Sequence, residues 1–359
     1  MSAVVLATAG YDHKIRFWEA SREKCTRVLK YPESQVNALA ITNDKQYIAA
    51  VGNPHAKIFE VHHGEGSPIR SYDAHGGNVT CVGFQCDAKW MYTASEDKTI
   101  KIWDLRAPRW QRQYECPAGV NSVALHPNQR DLVSGDQAGH LRIWDLQANA
   151  CSQELTPADY DFLDPTPGTG ESTGSMGGSI DDELAAGQAS GQASSRPLPR
   201  HAGDAGARAI RSVSMASDGS LIAATSHSGR IFTWRPMAAG NGGTGYVRFA
   251  AIDSGHHGYL TKCVLSPDVS RLITCSSDKT VRVWSLPGGA TWPSFQLEKT
   301  LAQHTRWVWD ACFSADSAYL VTASSDWTAR LWDVHTGEVI RHYAAPMAVT
   351  CVALNDASG

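Results

Sequence analysis

Ser95-Glu-Asp-Lys-Thr-Ile-Lys-Ile-Trp-Asp104 reads as one turn followed by one strand. Hydroxyl and carboxylate side chains shape the turn, β-branched residues alternate with lysine along the strand, and an aromatic closes it. The phrase returns as Ser277 to Ser285 and as Ser325 to Asp333. Its closing position is held in turn by Trp18, Phe59, Trp103, Trp144, Trp234, Trp284 and Trp332. Most intervals are roughly 41 to 50 residues, enough for four short strands, while the roughly 90-residue step from Trp144 to Trp234 contains an insertion. A unit of this size cannot bury both faces of its sheet, so the units must stack into a ring. The expected fold is all-β, a seven-bladed propeller forming a single domain over residues 1–359.

Each repeat supplies strand d of one blade and strands a, b and c of the next. In the last repeat, Glu298 to Leu301 is d, Trp307 to Phe313 is a, Ala318 to Ser324 is b and Thr328 to Trp332 is c. His304, Thr322, Asp326 and Trp332 have the spacing of the hydrogen-bonded tetrad of WD-repeat blades. The set recurs as His75, Thr93, Asp97, Trp103 and as His256, Thr274, Asp278, Trp284. A buried indole N–H needs an acceptor and a buried carboxylate needs donors. Recurrence in several blades assigns these residues to structure and not to catalysis. Other blades depart from the pattern: Phe59 replaces Trp, His55 stands where the turn Asp is expected, Ser228 takes the Asp place in the fifth blade, and Ala345 lies at the missing His of the closing blade. The chain opens with strands b, c and d (Val4 to Lys30) and ends with a lone strand a (Ala348 to Leu354). Pairing the C-terminal strand with the N-terminal blade closes the ring and removes an open edge.

Charged residues make up 19% of the 359-residue chain and the net charge is -4, so no basic field exists for nucleic acid. The nine cysteines include no Cys-x-x-Cys pair, and several lie in apolar strand patterns, which favours a reducing compartment. With neither a leader-like segment nor an apolar run long enough for a bilayer, the expected location is cytoplasmic, without direct membrane insertion. In that setting the sequon Asn78-Val-Thr80 is a chance match. Residues 158–208 are rich in Gly, Ser and Pro and acidic through Asp159, Asp161, Asp164, Asp181, Asp182 and Glu183, and are expected to form a disordered insert on the face carrying the d–a and b–c loops. Gly170-Glu-Ser-Thr-Gly174 lacks the strand-to-helix context that a nucleophile elbow requires. A second insertion, around Trp292, lengthens a c–d loop on the opposite face.

Propeller enzymes place acids or metal ligands where the inner strands converge. Aligning the a strands on their apolar positions turns Asn37, Thr80, Asn121, Arg211, Thr261, Trp309 and Thr350 toward the central opening. That set lacks an acid, a His or a Cys, so neither a cofactor nor a metal site is expected, and no enzyme. What remains is a rigid platform for other proteins. Gln35 and Asn37 at one strand start, Tyr259 at another, and Trp307 with Trp309 at a third are the candidate partner contacts.

The words between the repeat positions carry a family resemblance. Leu6 to His13 with Arg16-Phe-Trp18, Ser34 to Leu39, Trp90 to Thr93 with Ile102 to Arg106, Leu125 to Gln129 with Gly135 to Gln137, and Arg306 to Ser314 with Val321 to Asp326 resemble the WD-repeat subunit of TOR (target of rapamycin) kinase complexes, the "lethal with SEC thirteen" or G-protein-β-subunit-like family. The resemblance spans nearly the whole chain outside 158–208. It implies a non-catalytic scaffold that binds the C-lobe side of the TOR kinase domain, alongside the other subunits of the complex. Activity and substrate access in nutrient and growth signalling are supported in this way, and endomembranes are reached through the complex. The strand starts at Gln35, Asn37, Trp307 and Trp309 fit that contact. Trp103-Asp-Leu-Arg106 points instead to a substrate receptor of a cullin–RING ubiquitin ligase, a single motif copy. A G-protein β subunit would need an N-terminal coiled-coil helix.

Overall fold

In a computed structural model, residues 4–62, 66–107, 109–155, 208–238, 244–286 and 295–356 are described, and they form twenty-eight strands in seven antiparallel sheets of four. The insert expected over 158–208 lies outside the described residues except for its last position, as does Trp292. Six sheets follow chain order, such as Val308–Phe313, Tyr319–Ser324, Thr328–Asp333 and Val339–Ala344 in the seventh blade. Burial explains the composition of these strands. Strand b, Tyr319–Ser324, is buried along all but its first residue and so reads as an unbroken small or apolar run. Strand d, Val339–Ala344, faces solvent on one side and alternates.

The remaining sheet draws on both ends of the chain. Val349–Asn355 pairs along Val5–Gly10, which is followed by Lys14–Glu19 and Lys24–Lys30. Leu6 opposes Leu354 and Ala9 opposes Cys351, so the expected closure is present. Gly10 is required there, because a Cβ would lie 2.0 Å from the Ala348 carbonyl oxygen. The first strand of every sheet contacts that of the next in an unbroken cycle.

Seven apolar clusters fill the spaces between neighbouring blades, and each contains one of the seven strand-closing aromatics. Trp103 joins Ala49 and Val51 of the second blade, and a Tyr72 ring lies 4.9 Å from it. The aromatic repeat is thus the cement between blades, and Phe59 serves as well as tryptophan because the cluster needs bulk. Cys263, Cys275 and Cys351 are buried among apolar neighbours, and burial raises their thiols, keeping them protonated. Among the described residues, no helix is long and apolar enough to cross a membrane.

Candidate functional site: the strand-start face of the ring

Three blades carry complete tetrads. In the third, Trp103 Nε1 donates to Thr93 Oγ1 at 2.8 Å, His75 Nε2 is 2.7 Å from the same hydroxyl, and His75 Nδ1 is 2.8 Å from Asp97. The His256 and His304 sets repeat these bonds between 2.7 and 3.1 Å. A neutral ring satisfies the whole chain: indole N–H to threonine, threonine O–H to Nε2, and Nδ1–H to carboxylate. Burial lowers the basicity of His75 and His304 despite the adjacent carboxylates. It also opposes ionisation of Asp97, but donors from Thr99, the Gly76 N–H and His75 outweigh it and hold the carboxyl at about 2. The structure thus brings the four side chains together in each of these three blades.

Two of the incomplete blades hold the turn acid with arginine in place of histidine. In the fourth, Cys116 takes the histidine place and Arg142 pairs with Asp136 at 2.5 Å, their side chains only 5% and 1% exposed. In the closing blade, Arg16 holds Asp12 at 2.5 Å while Trp18 Nε1 donates to Thr8. Both arginines stand two residues before the aromatic, a signal the sequence carried. The second blade needs a correction. Its b–c turn is one residue shorter, so His55 occupies the place of Thr99 and Asn53 that of Asp97. His55 instead meets Asp73 at 2.7 Å.

A second correction concerns the axis. In six blades the a–b register slips at the second strand-start residue, as between Val79 and Cys81 or Val308 and Asp310. Such a bulge re-aims the side chain. Asn37, Thr80, Asn121, Thr261 and Thr350 reach sideways and donate to the first strand-a carbonyl of the next blade: Val79, Val120, Ile210, Val308 and Val36, at 2.5 to 2.9 Å. The two exceptions are Arg211, half-buried, whose basicity is lowered by desolvation against the pull of Glu96, and Trp309, whose indole donates to Ser325 Oγ at 2.6 Å. One position further, the inner wall does hold an acid. Asp310 pairs with Lys262 at 3.1 Å, which raises the lysine above its ordinary range, and accepts the Val352 N–H of the closing blade.

The predicted contact residues occupy one side of the ring in unequal states. Trp307 is 44% exposed with its ring 5.3 Å from that of half-buried Trp309, and Tyr259 is 52% exposed and stacked on His227 at 4.0 Å. Gln35 and Asn37 are half-buried, two blades further round, and Asn37 also reaches Asn78. Sequence reasoning missed Tyr11, Trp327 and Met347, each exposed on loops of this face. Among the described residues, the five exposed large apolar side chains of the face belong to the sixth, seventh and closing blades; the others lie on strand d, near the c–d hairpins or at the opposite end. Among the described residues no metal-binding group of three or more His, Cys, Asp or Glu forms.

The repeat family "WD domain, G-beta repeat" matches residues 66–104, 110–145, 249–285 and 295–333. The target of rapamycin complex subunit wat1 of Schizosaccharomyces pombe is 40% identical over 355 residues, 99% of this chain and 96% of that protein. The target of rapamycin complex subunit LST8 of Saccharomyces cerevisiae is 41% identical over 99% of both chains. The chain belongs to the LST8 family. Subunit LST8-1 of Arabidopsis thaliana, 43% identical over 85% of this chain and 82% of its own, is a further LST8 relative. The LST8 kinship runs across the whole propeller, the incomplete blades included.

Proposed function

We propose that this chain is a non-catalytic subunit of a TOR kinase complex. In this reading it docks on the C-lobe side of the kinase domain through the strand-start face and supports kinase activity and substrate access in nutrient and growth signalling. Its partners are the TOR kinase and the associated subunits, and neither nucleic acid nor direct membrane insertion takes part. It is cytoplasmic and reaches endomembranes through the complex. LST8 kinship supports the assembly, and the gathering of exposed aromatics on three adjacent blades supports the face. Trp307, Trp309 and Tyr259 supply rigid apolar area, with Gln35 and Asn37 at the far end of the contact. The His, Asp and Thr side chains that resemble catalytic groups are committed to the tetrads. In the rival cullin–RING receptor motif, Arg106 is already engaged by Asp104 through bonds of 3.1 and 3.0 Å.

Trp307→Ala and Gln35→Glu should each reduce co-purification with the TOR kinase while melting stays near wild type. An exposed tryptophan at an interface centre contributes about 2–4 kcal/mol, and an unpaired carboxylate at Gln35 would have to be desolvated. Undiminished kinase recovery from a well-folded Trp307→Ala chain would move the contact off this face. Recovery of a cullin adaptor in place of the kinase would favour the rival.

A further inference from the structure

In six blades the b–c turn contains a residue with left-handed backbone, at the same place before the closing aromatic: His13, Lys98, Gly139, Gly229, Lys279 and Trp327. Glycine is at ease there and a bulky side chain is not. Trp327 adopts φ 71° and yet leaves 52% of itself in solvent, so burial does not offset the backbone cost. Two sibling turns use lysine and two use glycine in the same conformation, so the blade itself has no need of an aromatic. Strain that folding does not require is a marker of function.

The surroundings say what such a residue would meet. Ser325 N–H donates to the Trp307 carbonyl at 2.9 Å, Ala345 N–H to the Trp327 carbonyl at 2.8 Å, and Tyr11 N–H to the Ala348 carbonyl at 3.2 Å. These bonds tie Trp307, Trp327, the Met347 loop and Tyr11 into one ridge across the seventh and closing blades. Acids in the neighbouring turns are occupied: Asp12 by Arg16, Asp278 by His256, and Asp326 by His304 and Arg330. Lys14, Lys279 and Arg306 are exposed on the same loops, and among the described residues none has an ion-pair partner. An apolar ridge edged by unspent positive charge fits an apolar segment bordered by carboxylates.

We propose that Trp327, with Met347 beside it, is a second anchor of the docking surface and receives an acidic, apolar segment of the TOR kinase; this rests on the kinase-docking reading above. The test compares three single variants, Trp307→Ala, Trp327→Gly and Trp327→Lys, for affinity toward the purified kinase and for melting temperature. Both Trp327 variants should weaken binding by about 10-fold or more while melting at or near the wild-type temperature, since glycine and lysine already serve this turn. Exchange of Lys14, Lys279 and Arg306 for glutamine should also flatten the salt dependence of binding. If Trp307→Ala loses affinity and both Trp327 variants keep it, the second anchor is wrong and the docking reading stands. Should all three keep it, the docking reading itself fails. A drop in melting temperature matching the lost affinity in both Trp327 variants would make Trp327 a folding residue and overturn the proposal.

Discussion

His75 and His304 are held as neutral rings between a carboxylate and a threonine, and this sets how the blades respond to acid. Their folded basicity lies below the ordinary 6.5, so the unfolded chain binds more protons just below that pH. The stability they contribute is complete above 6.5 and is lost as pH falls toward their folded values. Asp97 acts in the same direction lower down, between the ordinary 3.8 and its folded value of about 2. Melting temperature should therefore decline in two stages on acidification. In His304→Asn the protein should melt lower at pH 7.5 but show a shallower first stage; an unchanged slope would mean that the ring is not the titrating group. Arg142 and Asp136 offer a contrasting solution with the same outcome, a turn acid fixed by a side chain that keeps its charge throughout.

At the scale of the strand, the a–b bulge separates what the sequence displays from what it hides. Alternation, turn residues and the recurring aromatic place nearly every strand to within a residue or two, because each follows from side-chain burial. A bulge leaves no compositional trace. Thr80, Asn121 and Thr350, which plain alternation turns toward the axis, therefore tie blades together instead, and the inner acid Asp310 lies one position further on. Trp307 and Tyr259 were legible because strand-start position alone exposes them; Trp327 was not, since its left-handed backbone shows only in three dimensions. The inner wall makes a paired prediction. Lys262→Met strips Asp310 of its cation and should cost about 1–3 kcal/mol. Arg211→Met removes a half-buried cation that has no ion-pair partner among the described residues and should be neutral or stabilising by chemical denaturation. Equal losses in both would show that the Lys262–Asp310 pair carries no special weight.

For the whole molecule, the pairing of Val349–Asn355 with Val5–Gly10 has a consequence in time. The edge of Val5–Gly10, an uncharged Val-Leu-Ala-Thr-Ala-Gly run, emerges early in synthesis and has no partner until the far end of the chain arrives. At ribosomal rates of about 5–20 residues per second, that edge waits on the order of tens of seconds, long enough to pair with the wrong neighbour. A circular permutant that runs Asn355 into Val5 through a short linker and opens between Leu155 and Arg208 makes the two strands in immediate succession. It should reach the same final stability, yet refold faster and aggregate less at equal concentration, as monitored by light scattering. Identical refolding yields would remove the late strand as the bottleneck. For the native order, the interval between the first strand and its partner is a period of exposure in which the nascent ring depends on being shielded by something other than itself.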